Sequence, residues 1–159
     1  MQENSKQAYF ESYVEGWNEH DPTKVMSQFA DGGTYFDPNV GEKLRGEEIG
    51  RYVEDTVEGF PDLHFEEHRM LVDERADELR LAVEWTMHGT HQGTLDGLPP
   101  TGNTVELDGV DIVTISSDGI TAITGYFDQT TFAEQLGLTF PAILAQLPKI
   151  AIGTLQRAV

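Results

Sequence analysis

Large apolar residues near the start of the chain stand at Tyr9, Phe10, Tyr13, Val14 and Trp17. This is the i, i+3, i+4, i+7 stripe of a helix with one buried face, and it predicts a helix over residues 5–19. Asp21 can cap a second helix with Pro22 in its first turn, where the missing N–H has no intrahelical partner to lose. Val25, Met26 and Phe29 give that helix, expected over 22–30, its apolar side. A third helix, over 46–60, presents Ile49, Tyr52, Val53, Val57 and Phe60 and is stopped by Pro61. Between the last two, Thr34, Tyr35 and Phe36 read as an extended segment running into Asp37 and Pro38.

From residue 63 the period changes to two. Residues 63–74 form one predicted strand, and 75–78 a turn. In the next strand Leu79, Leu81, Val83, Trp85 and Met87 share one face, while Arg80, Glu84, Thr86 and His88 share the other. A glycine- and proline-rich connection follows. Residues 104–115 and 120–127 are two further strands, and 130–137 a short helix. Helices followed by antiparallel strands joined through turns define an α+β layout, with the helices against one face of a curved sheet. A sheet that curls around a helix leaves a mostly apolar pocket at its open end.

Composition narrows the picture. A chain of 159 residues is enough for one domain with a sizeable core. Without cysteine there is no disulfide framework and no thiolate chemistry. The 28 acidic residues against 10 basic ones give a formal net charge of −18, spread along the chain, which repels phosphate backbones and argues against a nucleic-acid partner. Hydrophobic residues still make up 38 per cent in periodic patterns, so disorder is a poor explanation; the expectation is the salt-adapted surface of a halophile. No basic stretch followed by an apolar run opens the sequence, and no apolar run reaches the length of a membrane span. The expected setting is soluble and cytoplasmic, without a membrane partner.

Three acids stand out against this pattern. Asp111 shares its strand face with Val105, Leu107, Val113 and Ile115, where an acid is costly unless it is paired, neutralised or functional. Asp37 precedes a proline and suits either a turn or a pocket. Asp128 ends the last strand, where it either caps the following helix or enters the pocket. His91 continues the parity of Leu79 through Met87, whereas His88 takes the opposite side and His64 and His68 lie too far apart along a strand to share a metal. No metal site and no cofactor are expected, and there is no Gly-rich phosphate loop or nucleophile elbow.

Residues 13–38, "YVEGWNEHDPTKVMSQFADGGTYFDP", resemble the opening of the nuclear transport factor 2-like superfamily, a cone-shaped α+β barrel also called cystatin-like. Residues 83–138 are more specific and resemble the SnoaL-like polyketide cyclases and the ester-cyclase proteins around them. The resemblance covers about residues 5–138, leaving 139–159 as an extension. It implies an enzyme without cofactor that performs acid/base chemistry alpha to a carbonyl of a small apolar substrate, with Asp128 as the general acid/base. The ketosteroid isomerases share the fold and offer a second match, with Tyr13 as oxyanion donor, Asp37 as base and Asp111 as a protonated partner. Tyr13, Trp17, Trp85, His91 and Tyr126 are the expected substrate contacts. The epoxide hydrolases of the fold need an Asp-Arg-Asp set, for which neither Arg69 nor Arg80 is well placed. The remaining alternative is a small-molecule-binding or dimerisation module without catalysis.

The extension carries no acid at all, and Phe140, Ile143, Leu144 and Leu147 are spaced for one helix face. Such a segment is expected to be buried, as a lid or in a homodimer interface.

Overall fold

The structure, a computed structural model, describes residues 2–157. Helix α1 (Gln2–Asn18) leads into α2 (Pro22–Ser27), strand β1 (Phe29–Phe36), the two-residue β2 (Leu44–Arg45) and α3 (Glu47–Gly59). Strands β3 (His64–Glu74), β4 (Leu79–Thr90), β5 (Thr104–Ser116) and β6 (Gly119–Phe127) follow. The chain closes with α4 (Gln129–Gln135), a 3-10 turn (Ala142–Ala145) and α5 (Leu147–Arg157). Phe29 and Ala30, expected to end the second helix, instead begin β1. Asp21 caps α2 as expected, accepting from the Lys24 N–H at 2.9 Å.

One open sheet carries the strands in the order β2-β1-β6-β5-β4-β3. The β3–β6 run is antiparallel throughout, as the alternation predicts, and β1 joins the edge of β6 in parallel. The concave face packs on α1 through Phe10, Tyr13 and Trp17, all buried, and the core continues through Val25, Ile49, Val53 and Phe60 of the other helices. Curvature has two visible sources. A bulge sits in β3 between Glu67 and Arg69, and glycines interrupt the inner face of β5 and β6.

Register sorts the inner face into rows. Tyr35, Ile123, Val113 and Leu81 stand side by side in one row. Two residues further along β5, Gly125, Asp111 and Val83 form the next row, with Asp37 just past the end of β1 at its margin. The row after that runs Phe127, Gly109, Trp85 and Glu67. The functional question lies in these last two rows, where glycines and acids replace the aliphatic residues of the core.

Candidate active site

Between the concave face and the helices lies a cavity of about 1220 Å³. Its walls are rich in aromatic residues, with Phe10, Tyr13, Trp17, Tyr52, Phe65 and Trp85 among them. Among the described residues, the only buried carboxylates are Asp37 and Asp111, at 2 % and 8 % exposure, and both line this cavity. Gly125 brings them together. A Cβ on that residue would lie 3.1 Å from Asp111 Oδ1 and 3.3 Å from the Asp37 Cβ, so the missing side chain is the space the two acids share.

The two carboxyls are treated differently. Asp37 Oδ2 accepts from the Tyr35 hydroxyl at 2.7 Å and the Tyr52 hydroxyl at 2.6 Å, while Oδ1 accepts from the Asn39 N–H at 2.7 Å. The turn role and the pocket role expected for Asp37 are therefore both present, one on each oxygen. Burial raises the pKa of both tyrosines well above its usual value, with the Asp37 charge adding to it, so they remain neutral donors. Asp111 has no such cage. Burial pushes its pKa up to about 7, with smaller contributions from the charges on Asp37 and Glu67. The Trp85 indole lies close enough to oppose that rise, but its N–H forms no hydrogen bond to Asp111. Tyr13 borders the same space, held against Phe10 and Phe29, and its hydroxyl is likewise kept protonated by burial and by Asp111.

The expected site residues divide cleanly. Asp37, Asp111, Tyr13, Trp17 and Trp85 line the cavity. Asp128 does not. It is exposed and caps α4, its Oδ1 accepting from the Thr131 N–H at 3.0 Å. The physical reason is strand parity: Gly125 and Phe127 point inward, so Tyr126 and Asp128 point outward, and Tyr126 is 58 % exposed. Tyr126 is therefore not a cavity residue either. His91 keeps the inward parity but lies beyond the cavity, fully buried against Phe60. Its Nδ1 accepts from the Thr101 N–H at 3.2 Å, and its backbone holds both ends of the 91–103 connection through Asn103 and Gly102. His91 is a loop anchor, and burial lowers its pKa.

Three site residues were not singled out from the sequence. Tyr35 and Tyr52 hold Asp37, and Glu67 stands at the mouth with its pKa raised by partial burial and by Glu11. Tyr35 was detectable, because it lies two residues before Asp37 and thus shares its strand face. Arg69 is exposed and pairs with Glu84, and Arg80 pairs with Glu78, so neither joins the two acids as an Asp-Arg-Asp set would require. Among the described residues, no three His, Asp or Glu side chains are grouped to hold a metal ion. No helix among them is long and apolar enough to cross a membrane.

The structure is a curved α+β sheet with two acids buried in its cavity, and sequence comparison identifies the family. The family model for SnoaL-like polyketide cyclases matches residues 7–136, and the chain belongs to that family. No curated protein matches the sequence. Among solved structures, AclR, a proposed hydroxylase from Streptomyces galilaeus, is similar at 20 % identity and TM-score 0.70, with 84 % of this chain and 96 % of that one covered. A proposed polyketide cyclase from Xanthomonas campestris is similar at 19 % identity and TM-score 0.67, covering 86 % and 99 %. A protein of ketosteroid isomerase-like fold from Catenulispora acidiphila is similar at 19 % identity and TM-score 0.62, covering 84 % and 94 %. The expected fold is thus the observed one.

Proposed function

We propose that this protein is a cofactor-independent enzyme that transfers a proton at the carbon next to a carbonyl of a small, largely apolar substrate, leading to aldol-type cyclisation. The supporting observation is the pair of buried acids flanking Gly125 inside an aromatic cavity. An exposed carboxylate is too weak a base for such a carbon acid, and burial strengthens it. Asp111, with a pKa near neutrality and no hydrogen bond holding its oxygens, takes the α-proton. The electron pair of the broken C–H bond moves onto the carbonyl oxygen, where the Tyr13 hydroxyl donates to it. The enolate carbon then attacks a second carbonyl, and Asp111 returns its proton to the new alkoxide. Asp37 is held by two tyrosines, and its charge beside Asp111 favours proton uptake there.

A second reading, isomerisation with Asp37 as base and protonated Asp111 as donor, is favoured by the same pKa, since Asp111 is about half protonated at pH 7. Deuterium exchange at carbon 2 of 1-tetralone separates the two. With Asp111 as base, the exchange rate rises through about pH 7 and levels off. With Asp111 as neutral donor, it falls over the same range. No protein-dependent exchange at any pH would favour a binding module without catalysis.

The acidic composition supports adaptation to salt, and the exposed apolar side of the tail supports a homodimer. Self-repulsion from a net charge of −18 is screened by salt, so the melting temperature should rise markedly between low and molar salt. A flat or falling curve would argue against this adaptation.

A further inference from the structure

One polar group bordering the cavity meets no acceptor in hydrogen-bond geometry, although it lies near Asp111. Trp85 is 8 % exposed and lines the cavity, and its indole Nε1–H has no acceptor. A buried donor left unpaired forfeits the hydrogen bond it makes with water in the unfolded chain. A wall built for packing alone would be filled as well by phenylalanine, without that cost. The orientation of the indole is also specifically accommodated. Gly109 stands opposite Trp85 across β4 and β5, and a Cβ there would lie 2.3 Å from both Cη2 and Cζ2 of the ring. The ring crosses the sheet only because that position has no side chain. Phe65 and Phe127 hold it edge-on, with centroids at 5.4 Å and 6.3 Å.

The place of this N–H relative to the acid matters. Asp111 pairs with Val83, and Trp85 is two residues further along β4 on the same face, which makes Asp111 and Trp85 diagonal neighbours. Such neighbours are about 7–8 Å apart at their backbones and reach each other through long side chains. The indole also approaches Asp111 closely enough to oppose its pKa rise. Donor and acid are therefore neighbours on the cavity side of the sheet. An indole N–H donates and never accepts, so it selects a hydrogen-bond acceptor such as a carbonyl oxygen and rejects an ammonium at that point.

Building on the acid/base reading above, we propose that the Trp85 indole N–H donates a hydrogen bond to the substrate's carbonyl oxygen, sharing with Tyr13 the charge that develops there. The chain has two tryptophans, so ¹H–¹⁵N spectra of the whole protein show two indole resonances, and Trp85→Phe assigns them. The probes are 1-tetralone and tetralin, which share a shape and differ in the carbonyl. The expected result is a downfield move of the Trp85 indole proton with 1-tetralone and not with tetralin. Trp85→Phe should weaken 1-tetralone binding about 5- to 10-fold, the worth of one hydrogen bond, and leave tetralin unchanged. Should Trp85→Phe not fold, Trp17→Phe gives the assignment and the wild-type shift remains the readout. Three results overturn the proposal: 1-tetralone bound with the Trp85 resonance unmoved, equal weakening of both probes by Trp85→Phe, or no binding of 1-tetralone. An indole shift without α-carbon exchange would keep the donor and sink the acid/base reading, so the two failures are distinguishable.

Discussion

Asp111→Asn should abolish proton transfer and, above pH 7, make the protein more stable. The amide keeps the shape of the carboxyl but cannot take a proton from carbon, so exchange of 1-tetralone should fall by about 10²- to 10⁴-fold, the usual range for a lost general base. The stability effect follows from the direction of the pKa shift. Asp111 is raised from an ordinary 3.8 to about 7 by folding, so the native state binds its proton more tightly than the unfolded chain does. Between those values the native state holds more protons, and stability falls as pH rises until Asp111 is ionised in both states. At about 1.36 kcal/mol per pH unit the full span is about 4 kcal/mol, an upper figure for what the ionised acid costs at pH 8. Asparagine avoids that cost. Urea unfolding should show Asp111→Asn close to wild type at pH 4 and more stable at pH 8. Equal stability at pH 8 would mean that Asp111 is not desolvated, and activity within a few-fold of wild type would remove it from the mechanism.

The inner face of β4 and β5 was legible because the two-residue parity holds along both strands, and that parity alone brings Asp111 to the cavity. The same rule places Asp128 beside Tyr126 on the outer face. The family resemblance pointed the other way, and the strand geometry prevails. Tyr52 appeared as one residue of a helical stripe, and nothing in α3 says that its hydroxyl meets an acid after β1, since that contact is made only by packing. Gly109 and Gly125 lie inside the predicted strands 104–115 and 120–127, and the sequence assigns them no special role. Their role as the space for Trp85 and for the two acids depends on which residues stand across the sheet, which register decides and composition does not. The β3 bulge was equally hidden. It breaks the alternation after Glu67, so that Met70, rather than Arg69, pairs with Val83.

Removing residues 139–159 should leave a folded core that binds ligands poorly. The sheet and α1–α4 hold the aromatic core by themselves, and the family match ends at residue 136. The tail borders the cavity, with Ile143 and Ile150 on its lining. It also crosses to the 91–103 connection, where Gly153 approaches Pro99 so closely that a Cβ would lie 2.8 Å from Pro99 Cγ. This inner side is half-buried. Phe140 is 82 % exposed, and Leu144, Leu147 and Ile152 are exposed with it, because a short 3-10 turn and α5 replace the single helix expected and split the apolar residues between two sides. Pro148 falls in the first turn of α5, where it is tolerated. The two sides can be separated experimentally. Truncation after residue 138 opens the cavity to water and should weaken 1-tetralone at least tenfold, about the loss of two aliphatic contacts. Replacing both Leu144 and Leu147 by aspartate leaves the lid in place and puts two charges on the outer side. That variant should bind 1-tetralone as wild type does, yet sediment as a monomer where the proposed homodimer predicts a dimer for the full chain, since unpaired acids are not buried in an interface without heavy cost. A dimer that survives both aspartates would move the interface elsewhere, and a truncated protein with unchanged affinity would show that the tail does not close the cavity.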